Sequence, residues 1–297
     1  TTNLVQSNIS KQIPFSSYSM DFDAASSDYV SMGNVLTKDG STAFSISCWI
    51  KYTGAGTQMI VSKQDASGHG YLLHTGNFAG VKLSWYPCIA SGGNIEVRTS
   101  SAYNDGNWHN VLATYDGSGN ASGAKIYVDG ALDTNIITDT FTGTSSSTGP
   151  FQISARNGTS FPFDGNVSNA AVWNSTLNQD DVLNLYNNGV PQDLNNFRIT
   201  PVAWYPMDQS YTYFNGSVLV ARDVISGNDG TGANVIQENI VGNAPGSTAN
   251  GTGTNLDLSD LIGDMKDSTN NSYSINMADY AYGVTNPANS GRSTLVP

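Results

Sequence analysis

The sequence predicts an all-β protein, and three observations carry that expectation. Charged residues are only 12% of the 297, against roughly 25% in an average globular chain. Ser, Thr, Asn and Gly take their place, which suits strands joined by turns. The acid is Asp rather than Glu, with Glu96 and Glu238 the only glutamates, and Asp belongs in turns and caps where Glu does not. Short runs of alternating apolar and polar residues recur between Gly-, Asn- and Asp-rich segments. A chain of this length can bury a large core as one main domain with an appendage.

Taken in order, residues 1–14 are polar, end at Pro14 and read as an N-terminal arm. Tyr18–Asp23 and Tyr29–Met32 are short alternating runs, two strands and a turn. Ala43–Tyr52 is the clearest strand: Phe44, Ile46, Cys48 and Ile50 share one face, Ser45, Ser47 and Lys51 the other. Trp49 breaks that polar face and is expected to cover the outer surface or a sheet edge. Gln58–Lys63 and Tyr71–His74 form the next pair, joined by a loop holding Asp65. Val81–Tyr86 and Asn94–Thr99 follow, joined by a loop holding Pro87, Gly92 and Gly93.

Asn104-Asp105-Gly106 then leads into Trp108–Tyr115. A polar loop, Ala124–Val128 and the turn Asp129-Gly130 complete a long hairpin, the glycine accepting the positive φ of a tight turn. Ala131–Ile137, Phe151–Ser154 and Phe163–Trp173 are further strands. Between them lie a Ser/Thr/Gly stretch, Thr138–Gly149, expected to be exposed, and the loop Arg156-Asn157-Gly158-Thr159. One helix is expected over Asn178–Asn188: Asn178 caps it, Asp180 and Asp181 sit in its first turn, and Gly189 and Pro191 follow. Its apolar side is Val182, Leu183, Leu185 and Tyr186.

Val202–Asp208, Val218–Val220 and Ser226–Thr231 read as closing strands, or as the first strands of a second copy that lacks its own hairpin. From Gln237 no strand pattern continues, although Asn255–Lys266 holds a short helical pattern. A tail with scattered aromatics such as Tyr273, Tyr280 and Tyr282 cannot bury a core of its own. It is either disordered or ordered by neighbouring subunits, and the second is preferred.

Trp108-His109-Asn110-Val111, Tyr115-Asp116-Gly117 and Lys125-Ile126-Tyr127-Val128-Asp129-Gly130 closely resemble the central hairpin of laminin G-like domains. These belong to the concanavalin A-like jelly-roll group, which includes the pentraxins. Phe163–Trp173 resembles that family's strand ending in Trp, after which a short helix recurs. Trp204-Tyr205-Pro206-Met207 with Ser226-Gly227-Asn228-Asp229-Gly230-Thr231 resembles the end of laminin G-like proteins in tailed marine bacteriophages. The resemblance implies a concanavalin A-like (laminin G-like) jelly-roll sandwich over residues 15–236, one short helix, and an extended C-terminal tail over 237–297.

For function the resemblance implies recognition more than catalysis. It points to a non-enzymatic virion structural protein, a capsid-decorating or fibre/tail-associated subunit. Arm and tail would contact other virion proteins, in a homo-oligomer on the phage particle. The alternatives are an adhesin for a host surface glycan and a secreted bacterial carbohydrate-binding module.

The residues limit the chemistry. A net charge of −12 without a Lys/Arg cluster opposes nucleic-acid binding, and no apolar run approaches the roughly 20 residues of a membrane span. Two cysteines, Cys48 and Cys88, make no disulfide framework and are expected as free buried thiols. The bridge some pentraxin-like relatives build from the Cys48 strand would need a cysteine at Val111. Glycoside hydrolysis needs two carboxylates flanking the bond, and Glu96 has no acidic residue two positions away on either side. His69, His74 and His109 lack triad or metal spacing, so no catalytic residue is assigned.

Laminin G-like and pentraxin calcium sites use rim-loop Asp, Asn and carbonyl oxygens. Here Asp65 and Asn157 occupy two rim loops, but the pentraxin acidic cluster aligns with Ala155-Arg156-Asn157. Ordinary turn roles are the preferred reading of both residues, so calcium stays open and no metal is assigned. A glycan surface would use exposed aromatics, and Trp85, Tyr86 and Tyr103 are the candidates, whereas Trp49, Trp108 and Trp173 sit in strong strand patterns and are expected in the core. The candidate ligand-binding set is Asp65, Trp85, Tyr86, Tyr103 and Asn157.

Overall fold

The computed structural model describes residues 17–246 apart from Ala79. The predicted arm and most of the predicted tail, including its helical pattern at 255–266, lie outside the described residues. Two antiparallel sheets form a sandwich. The eight-stranded sheet runs, in spatial order, β10 (Ala131–Leu132), β9 (Ala124–Val128), β8 (His109–Tyr115), β3 (Phe44–Lys51), β13 (Gly165–Trp173), β1 (Ser19–Phe22) and β18 (Ile240–Val241). In this sheet β14 (Ala203–Tyr205) pairs with the second half of β13. The ten-stranded sheet runs β11 (Asn135–Asp139), β7 (Gly93–Ala102), β6 (Val81–Ala90), β5 (Gly70–Asn77), β4 (Gln58–Gln64), β12 (Phe151–Ile153), β2 (Tyr29–Ser31), β17 (Gly230–Ala233), β16 (Leu219–Ala221) and β15 (Thr212–Phe214).

The core lies between the sheets. Phe44, Ile46, Cys48 and Ile50 enter it from β3, as their alternation predicts, and meet Leu73, Leu83, Trp85 and Val97 from the opposite sheet. The Phe44 ring is the hub, with centroids of Tyr71, Trp85 and Tyr115 at 5.1, 5.4 and 6.1 Å. Each such side chain stabilises the fold by about 1.5–3 kcal/mol through removal from water.

The outer face of the eight-stranded sheet is covered as well. Helix α1 (Gln179–Tyr186) and the segment after it lay Val182, Leu185, Leu194 and Phe197 against Leu112, Tyr127, Trp173 and Trp204. Trp49 is therefore not at a sheet edge; it is buried beneath the helix, stacked on Tyr186 at 6.1 Å. The helix starts where its capping residues dictate. Asn178 Oδ1 accepts the Asp180 and Asp181 N–H groups, and Asp181 returns a bond to the Asn178 N–H. Leu183, expected on the apolar side, is 53% exposed: Val182, Leu185 and Tyr186 share a face at i, i+3 and i+4, and Leu183 falls off it.

Several expectations need correction. Pro87 does not end a strand, because β6 runs through it. The pairing with β7 slips between Trp85 and Cys88, and such a bulge tolerates a residue that has no N–H to donate. Trp108 is not a core residue; it precedes β8, is half-buried, and donates Nε1–H to Asn243 Oδ1 at 3.2 Å. The segments after Val202 extend the two existing sheets, so they close this sandwich and do not start a second copy. At Gly70 (φ +138°) a Cβ would stand 1.8 Å from the Lys63 carbonyl oxygen, so the β4–β5 turn requires glycine there. Cys48 and Cys88 are free and buried, and no helix among the described residues is long and apolar enough to cross a membrane.

Candidate functional site

Strand alternation decides what the ten-stranded sheet shows on its other side. With Leu73, Leu83, Trp85 and Val97 in the core, His74, Ser84, Tyr86, Glu96 and Arg98 point away from it. Register aligns them into rows. Met59, His74, Ser84, Arg98 and Asn135 stand opposite one another across five strands. Gln152, Ser62, Leu72 and Tyr86 form the adjacent row. No α-helix packs on this face among the described residues, in contrast to the eight-stranded sheet.

Tyr86 is half-buried and lies parallel to the His74 ring, with centroids 5.5 Å apart and planes 18° from parallel. His74 Nδ1 bonds the Thr75 carbonyl at 2.7 Å, so that nitrogen carries the proton. Burial pulls the imidazole below its ordinary pKa, and the charges of Arg156 and Arg98 act in the same direction against Glu96. The ring is neutral at neutral pH. Glu96 accepts from Ser84 Oγ at 3.0 Å and from Arg98, whose guanidinium lies 3.4 Å from the Phe78 ring centroid.

The loop between β12 and β13 closes one end of the face. Ser62 Oγ donates to the Ala155 carbonyl at 2.6 Å, and the buried Gln152 amide both donates to and accepts from Gly158. Arg156 and Ser160 exchange two backbone bonds at 3.0 and 3.1 Å, and the Met59 N–H holds the Phe161 carbonyl at 2.8 Å. Asn157 and Phe161 adopt φ of 48° and 56°, a conformation L-residues hold only when the surroundings over-determine it.

The predicted residues separate into three places. Asp65 and Asn157 do come together at the rim, where Asn157 Nδ2 donates to the Asp65 carbonyl at 3.3 Å. The Asp65 carboxylate is engaged by the loops themselves: Oδ1 accepts the Ser67 and His69 N–H groups and Oδ2 the Thr148 N–H. No three acidic, His or Cys side chains among the described residues are placed to hold a metal. Tyr86 lies on the face. Trp85 must be removed from the binding set, because it is fully buried with Nε1–H on the Thr114 carbonyl at 3.2 Å. Tyr103 belongs to the hairpin's surroundings, donating to Asp133 at 2.8 Å and lying edge-on to His109.

His74, Phe78, Arg98, Arg156 and Phe161 were missed as site residues. The Glu96-x-Arg98 alternation was the signal for two polar groups on one face. Glu96 has no second carboxylate beside it on β7 and is engaged by Ser84 and Arg98, so the face lacks the acid pair of glycoside hydrolysis. Two clefts elsewhere enclose 240 and 450 Å³, the first walled by Asp21, Asp23, Asp28 and Glu238, the second by Asp21, Asp23 and Asp164 with Lys51. Neither has an exposed aromatic ring, so neither offers a sugar a stacking surface.

The family model for the concanavalin A-like lectin/glucanases superfamily, a laminin G model, matches residues 24–183. Among solved structures the chain is similar to a Bacteroides ovatus protein whose name provisionally describes carbohydrate binding. That match has 19% identity and a TM-score of 0.56, covering 80% of this chain and 62% of that one. The heptameric SAP-like pentraxin of Limulus polyphemus matches at 14% identity and a TM-score of 0.45, over 71% of this chain and 94% of that one. The binding domain of botulinum neurotoxin serotype G matches at 18% identity and a TM-score of 0.40, over 51% and 37%. No curated protein matches the chain.

Proposed function

The chain belongs to the concanavalin A-like lectin/glucanases superfamily, and we propose that it is a non-enzymatic glycan-binding protein that uses the outer face of its ten-stranded sheet, around the half-buried Tyr86. The observation that carries this reading is Tyr86, half-buried, backed by the parallel His74 ring and surrounded by fixed polar groups. A flat, held aromatic ring offers a sugar's C–H face a surface at little entropic cost. The provisional name of the Bacteroides ovatus protein agrees with it. Affinity electrophoresis or a glycan array on the full chain tests the surface: Tyr86→Ala should lose retention while the melting temperature falls by no more than about 2–4 °C. Retention that survives Tyr86→Ala would move the site elsewhere.

We further read the protein as a virion component of a tailed phage, a capsid-decorating or fibre/tail-associated subunit held by its arm and tail in a homo-oligomer. The resemblance of Trp204–Met207 and Ser226–Thr231 to phage proteins and the length of the 237–297 segment support this. Residues 237–246 already join the sandwich through β18, so in a purified monomer proteolytic protection of residues 247–297 would sink the assembly role of the tail. An adhesin or secreted bacterial module is the other reading, and the gene's neighbours separate them.

A further inference from the structure

Arg156 stands apart from Arg98, the other arginine near this face. Among the described residues the ion pairs are Arg98 with Glu96, His109 with Asp105 and Asp129, and Arg198 with Asp181; Arg156 enters none of them. Its guanidinium lies 4.8 Å from the Phe161 ring centroid, and Phe161 is 44% exposed. Both belong to a loop that is clamped, with Ser62 bonding its start at Ala155, Gln152 its middle at Gly158 and the Met59 N–H its end at Phe161. Partial burial lowers the Arg156 pKa from its ordinary value. A partly desolvated guanidinium without an anion is a cost the fold bears unless a ligand relieves it.

The surroundings sharpen this. The chain carries −12 overall with only 12 Lys and Arg, so its general field repels anions. Here burial lowers the His74 pKa, and Arg156 and Arg98 both lie close enough to add to that lowering. Arg98 is already neutralised by Glu96 and stacked on Phe78, which leaves Arg156 to face an incoming anion. A guanidinium presents a planar fork of N–H donors that matches a carboxylate.

We propose that the face takes an anionic glycan, with a sugar carboxylate bound by Arg156 and an adjoining ring stacked on Tyr86 or Phe161. This rests on the glycan-binding reading above and adds the ligand's chemical class.

The test uses the full chain against an array holding oligogalacturonate, alginate oligomers and sialylated glycans beside neutral oligosaccharides of matched length and dextran sulfate. Carboxylate-bearing glycans should be held about tenfold or more tighter than neutral ones, with retention falling as salt rises. Arg156→Gln should lose that preference at an unchanged melting temperature, and Arg156→Lys should restore only part of it, because a lysine lacks the fork. Neutral glycans bound equally well, and unaffected by Arg156→Gln, would overturn the inference while leaving glycan binding intact. Dextran sulfate held as tightly as the uronates would also overturn it, reducing the contact to general anion attraction. Retention of no glycan at all would overturn both.

Discussion

Asp129 accepts the Nδ1 proton of His109 at 2.6 Å, and Asp105 stands 3.1 Å from the other ring nitrogen. One imidazole thereby ties the turn before β8 to the turn after β9.

That tie predicts a pH optimum. Burial lowers the His109 pKa, but the hydrogen bond and charge of Asp129, then those of Asp105, outweigh it and leave the pKa raised. Its stabilisation is complete below the unfolded value of about 6.5 and is lost as pH rises through the higher folded value. Asp105 runs the other way: burial would raise it, but the Asn107 N–H and side chain and then His109 lower it. Its contribution is present above about pH 3.9 and is lost as pH falls below that. Thermal melts should show greatest stability between these limits. His109→Gln should lower the melting temperature near pH 6 by about 2–4 °C, for roughly 1 kcal/mol, and flatten its decline toward pH 8. An unchanged pH profile would refute the tie.

Neighbouring aromatics should behave oppositely. Trp85→Ala empties a fully buried site and should cost about 3–5 kcal/mol, read as a large drop in denaturation midpoint. Tyr86→Ala should cost under about 1 kcal/mol while losing glycan retention. Equal stability losses would contradict their placement on opposite faces.

The thiols should be silent in the native state. Burial pushes Cys48 to about 12 and Cys88 to about 11, so almost no thiolate exists at neutral pH. Ellman's reagent should find none in the folded protein and two per chain in guanidinium. Rapid native labelling of either would contradict its burial.

The helix cap can be measured alone. Asn178→Ala removes the acceptor for the Asp180 and Asp181 N–H groups and should cost about 1 kcal/mol in chemical denaturation. Asp181→Ala should cost more, since Asp181 is fully buried and also holds the Arg198 guanidinium through Nε and Nη2.

Much of this was legible locally. The alternation Phe44, Ile46, Cys48, Ile50 and the signals around Asn178 act within a few residues, so strand and helix could be read directly. What escaped depends on distant partners. Trp49 is explained only by Tyr186, 137 positions on (186 − 49). Pro87 within β6 is explained only by the slipped register against β7. Leu83-x-Trp85 already implied that Trp85 faces inward, but a strand thought to end at Pro87 left Trp85 at its edge. The face itself exists only through register: His74, Tyr86 and Arg98 come from three strands, and the Arg156 loop joins them because Ser62 and Gln152 reach it.

That loop leaves β12 in one sheet and enters β13 in the other, with Ala155 and Phe163 as its buried ends. Arg156 to Phe161 lie between those anchors and contribute no side chain to the buried core. On the binding reading proposed above, replacement within that span would change what is recognised without re-optimising either sheet. Specificity and foldability are thereby free to drift separately, and kindred proteins should differ here first.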